Sequence, residues 1–126
     1  MNYNEREQII FKEDYNPSNY PCGTRSFKSV DLKTVKELID KGFLNVNDAQ
    51  NASPTAGEFY EFMEEHPEFE AHGYCVCPER SDCRVTLEGI QCSKKVSKEA
   101  MEDFLDLCRH ADELSYKNGG LYCWWD

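Results

Sequence analysis

The chain has 126 residues, a formal net charge of −10, 40% hydrophobic residues and 30% charged ones. That is the length of one ordinary domain, and the composition is too apolar for intrinsic disorder. No apolar run approaches the ~18 residues that cross a bilayer. The acidity opposes both phosphate backbones and anionic lipid surfaces, so neither nucleic acid nor a membrane is an expected partner.

The opening Met1-Asn2-Tyr3-Asn4-Glu5-Arg6-Glu7 lacks the basic start and apolar stretch of a secretory signal, which predicts a cytoplasmic protein. The seven cysteines are odd in number and cannot all pair within one copy. In a reducing compartment they are expected as thiols, mostly buried as small apolar residues.

Residues 4–14 suit a short helix with Ile9, Ile10 and Phe11 on its apolar side, although three adjacent apolar residues also suit a strand. Residues 15–28, with two prolines and a glycine, read as an irregular connection. Residues 31–41 form a helix: Ser29 or Asp31 caps it, Leu32, Val35, Leu38 and Ile39 make the stripe, and Gly42 ends it. A polar loop, 45–52, follows.

The next helix, 54–66, has Ser53 as N-cap and Pro54 at its first position, with Phe59, Phe62 and Met63 inward. Residues 69–90 alternate on both sides of the turn 78–82 and predict a β-hairpin. Setting Cys77 against Cys83 pairs Cys75 with Val85, Gly73 with Leu87 and Ala71 with Gly89. Ala71, Cys75, Cys77, Cys83, Val85 and Leu87 then share the core face. Residues 97–116 read as the longest helix, capped by Ser97 and ended by Asn118-Gly119-Gly120. The fold class is therefore α+β: one small domain over 1–126, with three or four helices and a β-hairpin.

The order helix, helix, hairpin over 31–90 resembles a winged helix-turn-helix. The resemblance rests on element order, the start Ser53-Pro54-Thr55 and the strand Arg84-Val85-Thr86-Leu87-Glu88-Gly89-Ile90. It implies that 54–66 is a recognition helix, 69–90 a wing and the protein a DNA-binding regulator. A recognition helix needs donors and cations. This one carries Glu58, Glu61, Glu64 and Glu65 and neither Lys nor Arg. Arg80, Arg84 and the stretch Arg25, Lys28, Lys33, Lys36, Lys41 could meet phosphate, but the acidic helices oppose them.

Cys75, Cys77, Cys83 and Cys92 have the spacing C-x-C-x5-C-x8-C. The ligand types suit zinc. Residues two apart on a strand stand about 7 Å apart, however, which is wide for two sulfurs on one ion. Buried thiols are the competing reading, and a Cys77–Cys83 pair across the turn is another. No family signature of a nucleophilic cysteine surrounds any Cys, and His66, His72 and His110 are the available bases. Asp103, Asp106, His110 and Glu113 share one face of the predicted last helix, where a solvated face is the ordinary outcome. Tyr122, Trp124 and Trp125 are strongly apolar for a tail. They either fold back onto the core or anchor a partner.

With no phosphate loop, complete metal pattern or nucleophile signature, the expected role is a non-catalytic protein-interaction or regulatory module without a cofactor. Its partner is another protein or a second copy. A metal-binding or thiol-redox protein is the first rival, and an enzyme whose site is assembled from distant residues is the second.

Overall fold

A computed structural model describes residues 3–12, 23–117 and 119–126. Residues 13–22, which include Cys22 and most of the predicted irregular connection, lie outside the described residues, as does Asn118. The elements run α1 (Tyr3–Phe11), β1 (Thr24–Val30), α2 (Leu32–Asp40), α3 (Ala56–Glu65), β2 (Glu70–Val76), β3 (Val85–Cys92), α4 (Lys98–Leu107), β4 (Glu113–Lys117) and β5 (Gly120–Trp124). The strands form one antiparallel sheet in the order β1-β2-β3-β5-β4. The α+β class holds. None of the described helices is long and apolar enough to cross a membrane.

α2 starts where Asp31 Oδ1 accepts from Thr34 N at 2.9 Å and Thr34 Oγ1 at 2.7 Å. The Thr34 hydroxyl, then its N–H, hold the Asp31 carboxyl below its ordinary value. The helix ends at Gly42, which takes φ +79°, and the Phe43 and Leu44 N–H groups both donate to Leu38 O. α3 corrects one expectation. Its N-cap is Thr55, not Ser53. Thr55 Oγ1 accepts from Glu58 N at 3.1 Å while Glu58 Oε1 accepts from Thr55 N at 3.0 Å. A capping box needs a glutamate three residues on; Thr55 has Glu58, whereas Ser53 has Ala56. Ser53 instead braces the loop, accepting from Gln50 N at 2.9 Å.

The hairpin pairs Cys75 with Val85 and Gly73 with Leu87, as the alternation predicts, but Ala71 meets Ile90 rather than Gly89. Because Gly73 pairs Leu87 and His72 pairs Gly89, Glu88 is an inserted residue, a β-bulge. The bulge changes the phase of β3, so Leu87 and Ile90 both reach the core. Two further corrections concern strands. Residues 24–28 belong to β1 rather than to an irregular connection. The predicted helix 97–116 stops at Leu107, and 113–117 becomes β4. Lys117 pairs with Gly120, and Gly119 takes φ +82° between them, so Gly119 joins two paired strands rather than ending a helix.

One core joins the helices to one face of the sheet. Ile10, Val35, Leu38, Phe59, Met63 and Phe104 pack with Phe27, Cys75, Val85, Ile90, Leu121 and Cys123 in a single cluster. The helical members of that cluster all lie on this face. The other face of the sheet carries no described helix.

Candidate functional site

The open face is built by strand parity. Ser26 and Lys28 of β1, His72 and Tyr74 of β2, Gln91 of β3, and Tyr122 and Trp124 of β5 alternate with residues of the core. His72 organises them. Its cross-strand partner is Gly89, and a Cβ there would lie 2.6 Å from His72 Nε2 and 1.9 Å from Cys123 O. Glycine thus lets the imidazole cross β3 and donate from Nε2 to Cys123 O at 2.8 Å. The ring stacks on Tyr122, with centroids 4.9 Å apart and planes 7° apart.

Trp124 Nε1 donates to Glu88 Oε2 at 3.1 Å, so the bulge residue orients the indole. Gln91 Nε2 donates to Lys28 O at 2.8 Å and ties the face to β1. Together with Ser26, these groups line a shallow depression of about 380 Å3. At the hairpin end of this face, Arg84 donates to Tyr74 Oη at 3.1 Å, and Tyr74 Oη donates to Gln50 Oε1 at 3.0 Å.

Burial holds the His72 pKa below its ordinary value of 6.5, against a smaller opposing pull from the Cys123 carbonyl and Glu88. The imidazole is therefore neutral at neutral pH, with its Nε2 proton committed to a backbone carbonyl. Burial likewise raises the Tyr122 phenol, with Glu113 and Glu88 adding to the effect. The arrangement holds two aromatic rings in fixed posture, with polar groups between them. It orders a surface rather than poising a proton.

The residues singled out in the sequence go to different places. Cys75 and Cys92 lie in the helix-side core, Cys77 is buried outside that cluster, and Cys83 is partly exposed. Cys83 Sγ accepts from Arg6 NH1 at 3.2 Å and donates to Val76 O at 3.6 Å. The buried Arg6 guanidinium also donates to Val76 O at 3.1 Å and to Glu7 Oε1 at 2.7 Å, clamping the hairpin end to α1. Among the described residues, the four hairpin sulfurs do not form a ligand cluster. Among those residues, the one grouping of three candidate ligand atoms within 4.8 Å of one another is Glu65, His66 and Asp103.

That grouping joins two helices. His66 caps α3, and its Nε2 lies 2.8 Å from Asp103 Oδ2 on α4. Asp106 follows Asp103 by three residues on α4, but His110 and Glu113 leave the predicted face, because α4 ends before His110 and Glu113 lies in β4. Cys108 and Cys123 touch in the core. The Cys108 thiol is pushed far up, first by its hydrogen bond to Cys123 and then by burial, so it stays protonated.

The tail divides by parity. Trp125 is 2% exposed and meets Phe59 edge-on at 5.6 Å. Tyr122 and Trp124 stand half-buried on the open face. Sequence reasoning weighed His72 only as a partner for a cysteine. The signal that could have found its role is Gly89, the one residue without a side chain opposite it. Comparison with protein families, curated proteins and solved structures finds no match to this chain.

Proposed function

We propose that this chain is a non-catalytic interaction module that presents the open face of its sheet to another protein. The observation that carries this reading is the pair Tyr122 and Trp124, held half-buried on a face that no described helix covers. Aromatic rings fixed in advance lose little freedom on binding, which is why such side chains dominate protein interfaces. Lys28, Gln91 and Glu88 around them offer a charged and polar rim to a protein surface. The committed Nε2 of His72 supports binding over proton transfer. The net charge of −10 favours a partner with a basic surface.

The test places a photo-crosslinking amino acid at Trp124, at Tyr122 and, as control, at Lys36, which is exposed on α2. Irradiation in the producing cell is expected to yield one discrete protein adduct from positions 124 and 122 and none from position 36. No adduct from the open face, or equal labelling from all three positions, would sink the reading.

A further inference from the structure

β4 forms one edge of the sheet, and beyond it lies no described strand. The two edges differ. β1 is interrupted by a bulge between Phe27 and Val30, a common way of blunting an edge against pairing. β4 runs in continuous register with β5 from Glu113 to Lys117 and contains no proline. Its outward N–H and C=O groups form an uninterrupted template for another strand.

The helix layer also stops short of this edge. Leu105 of α4 is 47% exposed, Leu114 48% and Tyr116 67%. With Met101, Phe104 and Leu121 they line an apolar cleft of about 400 Å3 between α4 and β4. Three of the four large hydrophobic residues that stand exposed among the described residues therefore lie at one unblunted edge.

The five residues of β4 read Glu113-Leu114-Ser115-Tyr116-Lys117. An antiparallel pairing of this segment with itself, centred on Ser115, sets Glu113 against Lys117 of the second copy and Lys117 against its Glu113. Leu114 falls opposite Tyr116, twice, on the helix side. Every residue meets one of the same parity, so the outward hydrogen-bonding groups of both copies coincide. Registers centred on Leu114 or Tyr116 leave one end unpaired and lose both opposite-charge pairs.

We propose that β4 joins two copies of this chain across a two-fold axis through Ser115, extending the sheet and closing the apolar clefts over Leu114 and Tyr116 of both copies. A two-fold interface must be complementary to itself, and this segment is, in charge, shape and hydrogen-bonding parity. The inference stands on the β4 edge and not on the aromatic platform of the open face. Both platforms would lie on the same side of the joined sheet.

The experiment is sedimentation equilibrium of the purified full chain over a concentration series. A concentration-dependent dimer is expected. Glu113→Lys and Lys117→Glu, each alone, create two like-charge pairs per dimer and are expected to weaken it about tenfold. The double variant Glu113→Lys/Lys117→Glu exchanges the partners and is expected to restore the dimer to within about threefold of the parent. Both positions are exposed, so far-UV circular dichroism should not change, nor should the thermal midpoint at concentrations where every variant is monomeric. Leu114→Arg is expected to abolish association. A chain that stays monomeric at every concentration overturns the proposal, and so does a dimer indifferent to the single reversals. A double variant as weak as the singles would also overturn it, because the register would then be wrong.

Discussion

The two faces of the sheet treat one C-terminal segment in opposite ways. Cys123 and Trp125 turn into the helix layer at 0% and 2% exposure, while Tyr122 and Trp124 stand half-buried on the open face. All four are large or apolar, and composition alone treats them alike. Strand parity separates them: one set becomes core, and the other stays half-buried on the open face. A hydrophobic terminal stretch is thus two things at once, and truncating it whole would confuse them.

The sharpest way to break that comparison is a pair of single substitutions. Trp125→Ala empties a buried site against Phe59 and should cost about 3–5 kcal/mol in urea or guanidinium denaturation. Trp124→Ala should cost less than about 1 kcal/mol while removing the open-face adduct. The reverse ranking would mean that the two faces have been assigned backwards.

Next is Gly89→Ala. Its Cβ would lie 1.9 Å from Cys123 O and would enter the space that His72 occupies. Strand β5 must shift or the imidazole must leave, and a loss of about 1–3 kcal/mol in chemical denaturation is expected. The ring currents of Tyr122 on His72 in proton NMR should change with it, because the stack depends on the crossing. Unchanged stability and spectra would show that glycine is not what lets His72 reach β5.

On the helix side, Thr55→Ala removes the hydroxyl half of the α3 capping box and should cost about 1 kcal/mol. Ser53→Ala should cost measurably less, which separates the true cap from the expected one.

The smallest effect is a pH dependence on the open face. The folded state lowers the His72 pKa, so below 6.5 the unfolded chain binds the proton more readily than the folded one. The contribution of His72 to stability is complete above that pH and is lost as pH falls toward the lowered folded value. His72→Gln retains an N–H donor for Cys123 O but does not titrate. It should flatten the fall of the denaturation midpoint on the acid side while leaving the neutral value nearly unchanged. A parallel pair of curves would show that His72 is not buried as a neutral ring.

How much could be read in advance varied with how local the signal was. α2 was legible to within a residue because Asp31, the 3.6-residue stripe and Gly42 all act within a few residues of one another. The Cys75–Val85 register was legible for the same reason: a short turn sets pairing on both sides of it. Ala71 was misplaced by one residue because the bulge at Glu88 leaves no mark in the alternation. Helix 97–116 failed at its second half. Leu114 suits a helical stripe as well as a strand, and pairing with β5 decided between them. Of the three cysteines read as one core face, Cys75 joins the helix-side cluster, while Cys77 and Cys83 fall outside it. Of the open face, Tyr122 and Trp124 were named from composition. His72, Gln91 and Glu88 were not, because each is placed by a neighbour on a different strand.

By itself the sequence determined what depends on near neighbours: the α+β class, the acidic helix faces, the N-caps of α2 and α4 and the hairpin around 78–82. Steric and hydrogen-bonding rules that span a few residues settle those. Tertiary structure alone decided that 113–117 is an edge strand, that β5 lies between β3 and β4, and that Trp124 and Trp125 part company. These depend on which strand finds which partner, and strand pairing is a contact between segments far apart in the chain.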